Sequence, residues 1–313
     1  MSAVRNQRAV EDATDGYGSI TIRSADASTE AEFMPSSNMG CLSLSHQGVE
    51  SLHPGGRVAG YAARGTTVGI PLVHPWANRL NGVGCRVEGR QMARPRGETI
   101  PLDGHGLSIP TAMPVLMRWE PVRRGRGALT GVLRWSSPRQ LRLFPFPHGL
   151  TVEATVEAEG LTIAATLMPI GEESVPVSFG YPWQVTLGGR SRLLPEATMA
   201  STGGREPLTV RPFRLGERDL DVGFGSLAAA AQFEVESGEV TVTVEFLERY
   251  PNAQLYAPAG EDFIRLEPMP AATRALVSGD GRTREVAPGG QFRAAFRISI
   301  APKSGTDRLG VVQ

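Results

Sequence analysis

Apolar and polar residues alternate with a period of two through most of this chain, and no long stretch repeats apolar residues at helical spacing. That pattern predicts an all-β fold. In the clearest hairpin, Phe233 and Val235 lie on one arm, Val240, Val242, Val244 and Phe246 on the other, and Ser237-Gly238 at the turn. Glu234, Glu236, Thr241, Thr243 and Glu245 fill the opposite, wet face. A second hairpin runs from Leu150 to Leu167 around Glu159-Gly160, setting Val152, Ala154 and Val156 against Thr151, Glu153 and Thr155. Sheets with one wet face must stack, and 37 glycines and 24 prolines supply turns, so a large antiparallel β-sandwich is expected. Residues 1–16 read as a mobile tail and 17–313 as a single domain. Gly55-Gly56 and the stretch 201–204 read as surface loops within it.

Phe263-Ile264-Arg265-Leu266-Glu267-Pro268-Met269 is the most informative strand. Its apolar run ends in a carboxylate that the following proline holds in extended backbone. Such a glutamate is expected where a sheet meets its loops. Together with Asn78-Arg79, His105-Gly106 and Asp221-Val222-Gly223-Phe224, it suggests a carbohydrate pocket with a carboxylate base.

Charge narrows the partners. Lysine plus arginine and aspartate plus glutamate each total 32 in 313 residues, so no global field favours nucleic acid or an anionic membrane. Cys41 and Cys85 form no CxxC pair, which removes a disulfide framework or structural zinc and fits a reducing compartment. Met1 to Gly16 has no apolar signal region, and no apolar run is long enough to cross a bilayer; a soluble cytoplasmic protein is expected. HExxH, paired histidines at ligand spacing and a phosphate-binding glycine loop are all missing, so metal-hydrolase and nucleotide readings lack their parts. His46, His53, His74 and His148 read as structural or exposed.

The stretch Gly69-Ile70-Pro71-Leu72-Val73-His74-Pro75-Trp76-Ala77-Asn78-Arg79-Leu80 resembles the signature of the aldose 1-epimerase (galactose mutarotase) family. Later blocks follow the family's order: His105-Gly106-Leu107 with Trp119 downstream, then Phe144-Pro145-Phe146-Pro147, then Leu220-Asp221-x-x-Phe224-x-x-Leu227. Gln254-Leu255-Tyr256 resembles the strand before the family's catalytic glutamate, Leu266-Glu267-Pro268-Met269 the glutamate block, and Pro288-Gly289-Gly290-Gln291-Phe292 the terminal element. These blocks run from Gly69 to Phe292. The resemblance implies a twisted β supersandwich and a cofactor-free enzyme that interconverts the anomers of a free hexose.

One block departs from the family's pattern. Where the family carries Gly-x-His-Pro-Tyr, its histidine protonating the ring oxygen, this chain has Phe179-Gly180-Tyr181-Pro182-Trp183. A phenol titrates near ~10 and an imidazole near ~6.5, so tyrosine releases a proton far less readily at neutral pH. The resemblance therefore makes Glu267 the base and leaves Tyr181 or His105 as acid or ligand contact, with core packing as the alternative for both. Asn78, Arg79, His105, Asp221 and Gln254 would bind sugar hydroxyls, and Trp183 or Trp76 would stack on a pyranose face. An ion pair for Arg79 and a turn cap for Asp221 are the plain alternatives. Two other functions remain open: a sugar-binding or regulatory protein that lost the acid, and a hexose 6-phosphate mutarotase using arginines such as Arg57, Arg64 and Arg86. Asp221 and Glu267 as a glycoside-hydrolysing pair is a weaker option.

Overall fold

The structure is a computed structural model that describes residues 18–36, 38–52, 69–80, 86–93, 117, 119–186, 192–195, 199–200, 207–208, 213–214, 219–237, 240–261, 263–278 and 283–302. The expected tail, Cys85, His105, Arg57, Arg64 and both expected surface loops lie outside these residues.

Nine antiparallel strands form the largest sheet. Their spatial order is Phe213–Arg214, Arg192–Pro195, Gln232–Ser237, Val240–Glu248, Phe292–Pro302, Gly160–Pro169, His148–Glu157, Ala128–Trp135 and Glu120–Arg124. Both predicted hairpins lie in it, with Phe233 opposite Val244, Val235 opposite Val242 and Glu157 opposite Gly160. The predicted inner residues Val152, Ala154, Val156, Phe233, Val235, Val242, Val244 and Phe246 are buried. The outer face carries Thr and Glu, with rim ion pairs such as Arg297–Glu157 at 3.0 Å that add only about 0–1 kcal/mol. Gly160 has a steric reason to be glycine, since a Cβ there would stand 2.1 Å from the Ile298 carbonyl oxygen of the neighbouring strand.

Two four-stranded sheets complete the sandwich. Ile20–Arg23, Thr29–Met34, Gly40–His46 and Val49–Glu50 form one, which lies against the strands Ala128–Trp135 and His148–Glu157. The other has the order Trp183–Thr186, Phe263–Met269, Asn252–Ala257 and Leu220–Phe224. Its apolar face meets the nine-stranded sheet through Phe224 and Phe233, 5.5 Å between ring centroids, and Tyr181, just before the strand Trp183–Thr186, packs on Phe296 of the nine-stranded sheet at 5.3 Å. Side chains from all three sheets share one hydrophobic core.

The six-residue helix Pro138–Leu143 is too short to show a helical period, yet its start is written in the chain. Ser137 accepts from the Gln140 backbone N–H, and the Gln140 side chain accepts from the Ser137 N–H, with proline in the first turn. Among the described residues no helix is long and apolar enough to cross a membrane.

His74 and His148 form a fully buried pair beside Trp135 and Phe144. The Phe146 carbonyl oxygen can only accept, so His148 donates to it from Nδ1 at 2.6 Å; His148 Nε2 is then left to accept from His74 Nε2–H at 2.8 Å. Burial pushes the His148 imidazole down to about 4 and also lowers His74, so both are neutral in the fold. Unfolded, each protonates near ~6.5, so the stability they carry is full above that pH and is lost as pH falls toward 4. In a Glu267→Gln background, which removes the opposing titration of a buried carboxyl raised to about 7, urea unfolding should show a fall in stability across this window, with His148 alone contributing on the order of 3 kcal/mol. His148→Gln should be less stable at pH 7 and should flatten the acid slope; an unchanged slope would contradict this assignment.

Candidate functional site

Alternation along the strand Phe263–Met269 builds the site. Ile264 and Leu266 are buried in the core, while Arg265 and Glu267 project from the opposite face of the four-stranded sheet. Antiparallel register carries that second face across: Gln184 pairs with Arg265, Tyr256 with Arg265, Gln254 with Glu267, Asp221 with Tyr256 and Gly223 with Gln254. One sheet face thus collects Gln184, Arg265, Glu267, Gln254, Tyr256 and Asp221. Contrary to expectation, Glu267 lies within its strand, which continues through Pro268 to Met269. The proline is tolerated because the ladder to the strand at Trp183–Thr186 ends at Leu266, so its missing N–H withdraws no bond there.

The segment 69–80 closes over this face. It is pinned by the bridge between Val73 and Gly180, and the Ala77 N–H donates to Ser178 Oγ at 3.3 Å. Its Asn78, in left-handed backbone at φ 52°, donates its N–H to Glu267 Oε1 at 3.0 Å. The Asn78 side chain turns away, with Nδ2 donating to Thr273 Oγ1 at 3.0 Å. Arg79 Nη2 donates to Asp221 Oδ2 at 2.7 Å, and Gln254 Nε2 donates to the other Asp221 oxygen. Asp221 therefore sits in a strand rather than capping a turn.

Glu267 is 7% exposed. Burial pushes its carboxyl up to about 7, opposed by the Asn78 N–H and by the Arg265 and Arg79 guanidinium groups. A carboxyl held there exchanges protons readily at neutral pH. Gly180 lies directly against it, since a Cβ on Gly180 would stand 2.5 Å from Glu267 Oε1.

The structure thus brings together Asn78, Arg79, Asp221, Gln254 and Glu267, which are scattered along the sequence. It does not bring Tyr181 or Trp183 to them. Tyr181 is 0% exposed and packs on Phe296 in the core, with its hydroxyl buried and unpartnered, and burial raises the phenol further above its ordinary range. The core-packing alternative holds for it. Trp183 stands opposite Leu266 on the apolar face, and Trp76 is equally buried, so neither offers a stacking surface. Arg86 is exposed and donates to the Gly89 carbonyl of its own hairpin at 3.2 Å. His105 lies outside the described residues.

Sequence reasoning missed Arg265, Gln184, Tyr256, Gly180 and Thr273. The first three carried a usable signal, because each alternates with core residues of its strand and shares a face with a predicted site residue. Gly180 and Thr273 had none, since their roles depend on contacts between distant segments.

Two stability outcomes follow from this packing. Tyr181→Phe removes a buried hydroxyl without a partner and should raise unfolding stability by about 1 kcal/mol; a loss of similar size would mean the hydroxyl is bonded. Gly180→Ala forces a methyl against Glu267 and should cost about 1–3 kcal/mol by urea unfolding, whereas a neutral effect would contradict the close packing.

No protein-family model matches the sequence, and no curated protein matches it. Solved structures do. A galactose mutarotase related enzyme from Lactobacillus acidophilus matches with a TM-score of 0.69 at 14% identity, over 94% of this chain and 100% of that one. An aldose epimerase homologue from C. elegans gives 0.69 at 13% identity, over 91% and 99%. A galactose mutarotase-like protein from Lactobacillus casei gives 0.67 at 16% identity, over 91% and 100%. At such identities a likeness establishes fold, not chemistry. Antiparallel sheets stacked on one core, matched over nine-tenths of the chain, give this protein the galactose mutarotase-like β-sandwich fold.

Proposed function

We propose that this protein is an aldose 1-epimerase-like isomerase that interconverts the α and β anomers of a sugar, with Glu267 as its base. The observation that carries the reading is a desolvated carboxyl, raised to about 7, on a polar sheet face otherwise lined by hydrogen-bonding side chains. Two of the structures similar to this one, at 14% and 13% identity, bear names of the same chemistry.

In the proposed reaction, Glu267 takes the proton of the anomeric hydroxyl, and the O1–H pair closes the carbonyl at C1. The C1–O5 bond breaks with its electron pair going to O5, which takes a proton. Rotation about C1–C2 and reversal of these steps give the other anomer. The Asn78 N–H holds Glu267 Oε1 in place, leaving Oε2 to reach the sugar. Asp221, with Gln254 and Arg79 already bound to it, offers a fixed acceptor and two donors to sugar hydroxyls. With Tyr181 in the core, His105 is the proton donor that the sequence leaves for O5.

A second reading is a sugar-binding protein without catalysis. It is favoured by the burial of Tyr181, which removes one of the two proton donors identified from the sequence.

NMR of freshly dissolved α-glucose and α-galactose separates the two. The isomerase reading predicts faster anomer exchange, loss of at least ~100-fold in Glu267→Gln with sugar binding retained, and wild-type rates in Tyr181→Phe. Since the base must be ionised, kcat/KM should climb with pH and level off above about 7, falling about tenfold per unit well below it. Sugar binding without acceleration would establish the second reading.

A further inference from the structure

Arg265 stands two residues before Glu267 on the same polar face, and nothing in the proposed chemistry uses it. Its Nε is buried with no hydrogen-bond partner, and its Nη2 donates only to the neutral Gln184 Oε1, at a long 3.3 Å. The guanidinium lies 5.7 Å from the Tyr256 ring centroid. Among the described residues no carboxylate forms an ion pair with it, in contrast to Arg79, which is paired with Asp221. The Tyr256 ring face and the through-space attraction of Glu267 offset part of the cost of burying this guanidinium, and an anion hydrogen-bonded to it would offset the rest.

We infer that the site takes an acidic sugar, a monosaccharide bearing a carboxylate, whose anion pairs with Arg265 while its anomeric hydroxyl meets Glu267. This rests on the proposed role of Glu267 and names its substrate class.

The spacing suits such a ligand. Alternate residues of a strand lie about 6.6 Å apart, comparable with the span from the anomeric oxygen past the ring oxygen to the C6 group of a pyranose. Charge favours a monoanion. Arg79 and Asp221 cancel, so one guanidinium is left facing a single carboxyl that is only partly ionised at neutral pH. One planar carboxylate matches one guanidinium edge, whereas a phosphate dianion would call for a second free cation.

The test is calorimetry and NMR anomer exchange on the full chain with glucuronate and galacturonate beside glucose, galactose and glucose 6-phosphate. At low salt at least one uronate should bind about tenfold or more tightly than its neutral parent, and the advantage should shrink as salt is raised. The ratio should collapse toward one in Arg265→Gln and survive in part in Arg265→Lys, which keeps the charge if the glutamine variant does not fold. Equal binding of uronate and parent, no measurable binding of either uronate, or a preference that persists in Arg265→Gln would overturn the inference. So would a preference for glucose 6-phosphate over both uronates. A uronate preference without accelerated exchange would instead overturn the role of Glu267, and accelerated exchange of neutral hexoses alone would spare that role and reject the acidic substrate.

Discussion

A single strand, Phe263–Met269, has to serve two environments at once. Ile264 and Leu266 must enter the core between sheets, and the period of two then leaves Arg265 and Glu267 no choice of face. Because the core requires that register, the carboxyl is delivered to the same place wherever the sandwich forms. Its desolvation comes from the segment 69–80 folding over the sheet, held by the Val73–Gly180 bridge and completed by the Asn78 N–H bond to Glu267. Glycine at 180 is part of the same arrangement, since no side chain fits between that backbone and the carboxyl.

Charge on the polar face is graded by its partners. Arg79 and Asp221 neutralise each other at the rim, where they are still partly exposed, and they anchor Gln254. Deeper in, Arg265 and Glu267 share a strand without forming an ion pair, so each feels the other through space while burial weakens the charged form of both. The outcome is a carboxyl ready to exchange protons near neutrality beside a cation that, among the described residues, has no hydrogen-bonded carboxylate.

Much of this was legible in the chain. The two hairpins, the all-β class and the antiparallel stacking follow from alternation alone, and the ordered motifs single out Asn78, Arg79, Asp221, Gln254 and Glu267, which the fold places side by side. Motif position misled at Tyr181. It falls in the block where the resembling family carries its acid, but its ring, just before the strand Trp183–Thr186 begins, packs on Phe296 in the core. Trp183 failed for the same reason, because a residue opposite Leu266 must share its apolar side. Glu267 was expected at a strand end because Pro268 follows it; the neighbouring ladder stops short of the proline, and the strand continues. Contacts such as Asn78 with Thr273, 195 residues apart, leave no mark on local sequence.

The fold holds the Glu267 carboxyl near neutrality on the polar face of the four-stranded sheet, and the proposed chemistry depends on it. Titrating carboxyl-labelled glutamate by carbon-13 NMR, with Glu267→Gln identifying the resonance, measures it directly. The account predicts a midpoint near 7; a midpoint at or below the ordinary glutamate value of ~4.3 would contradict it.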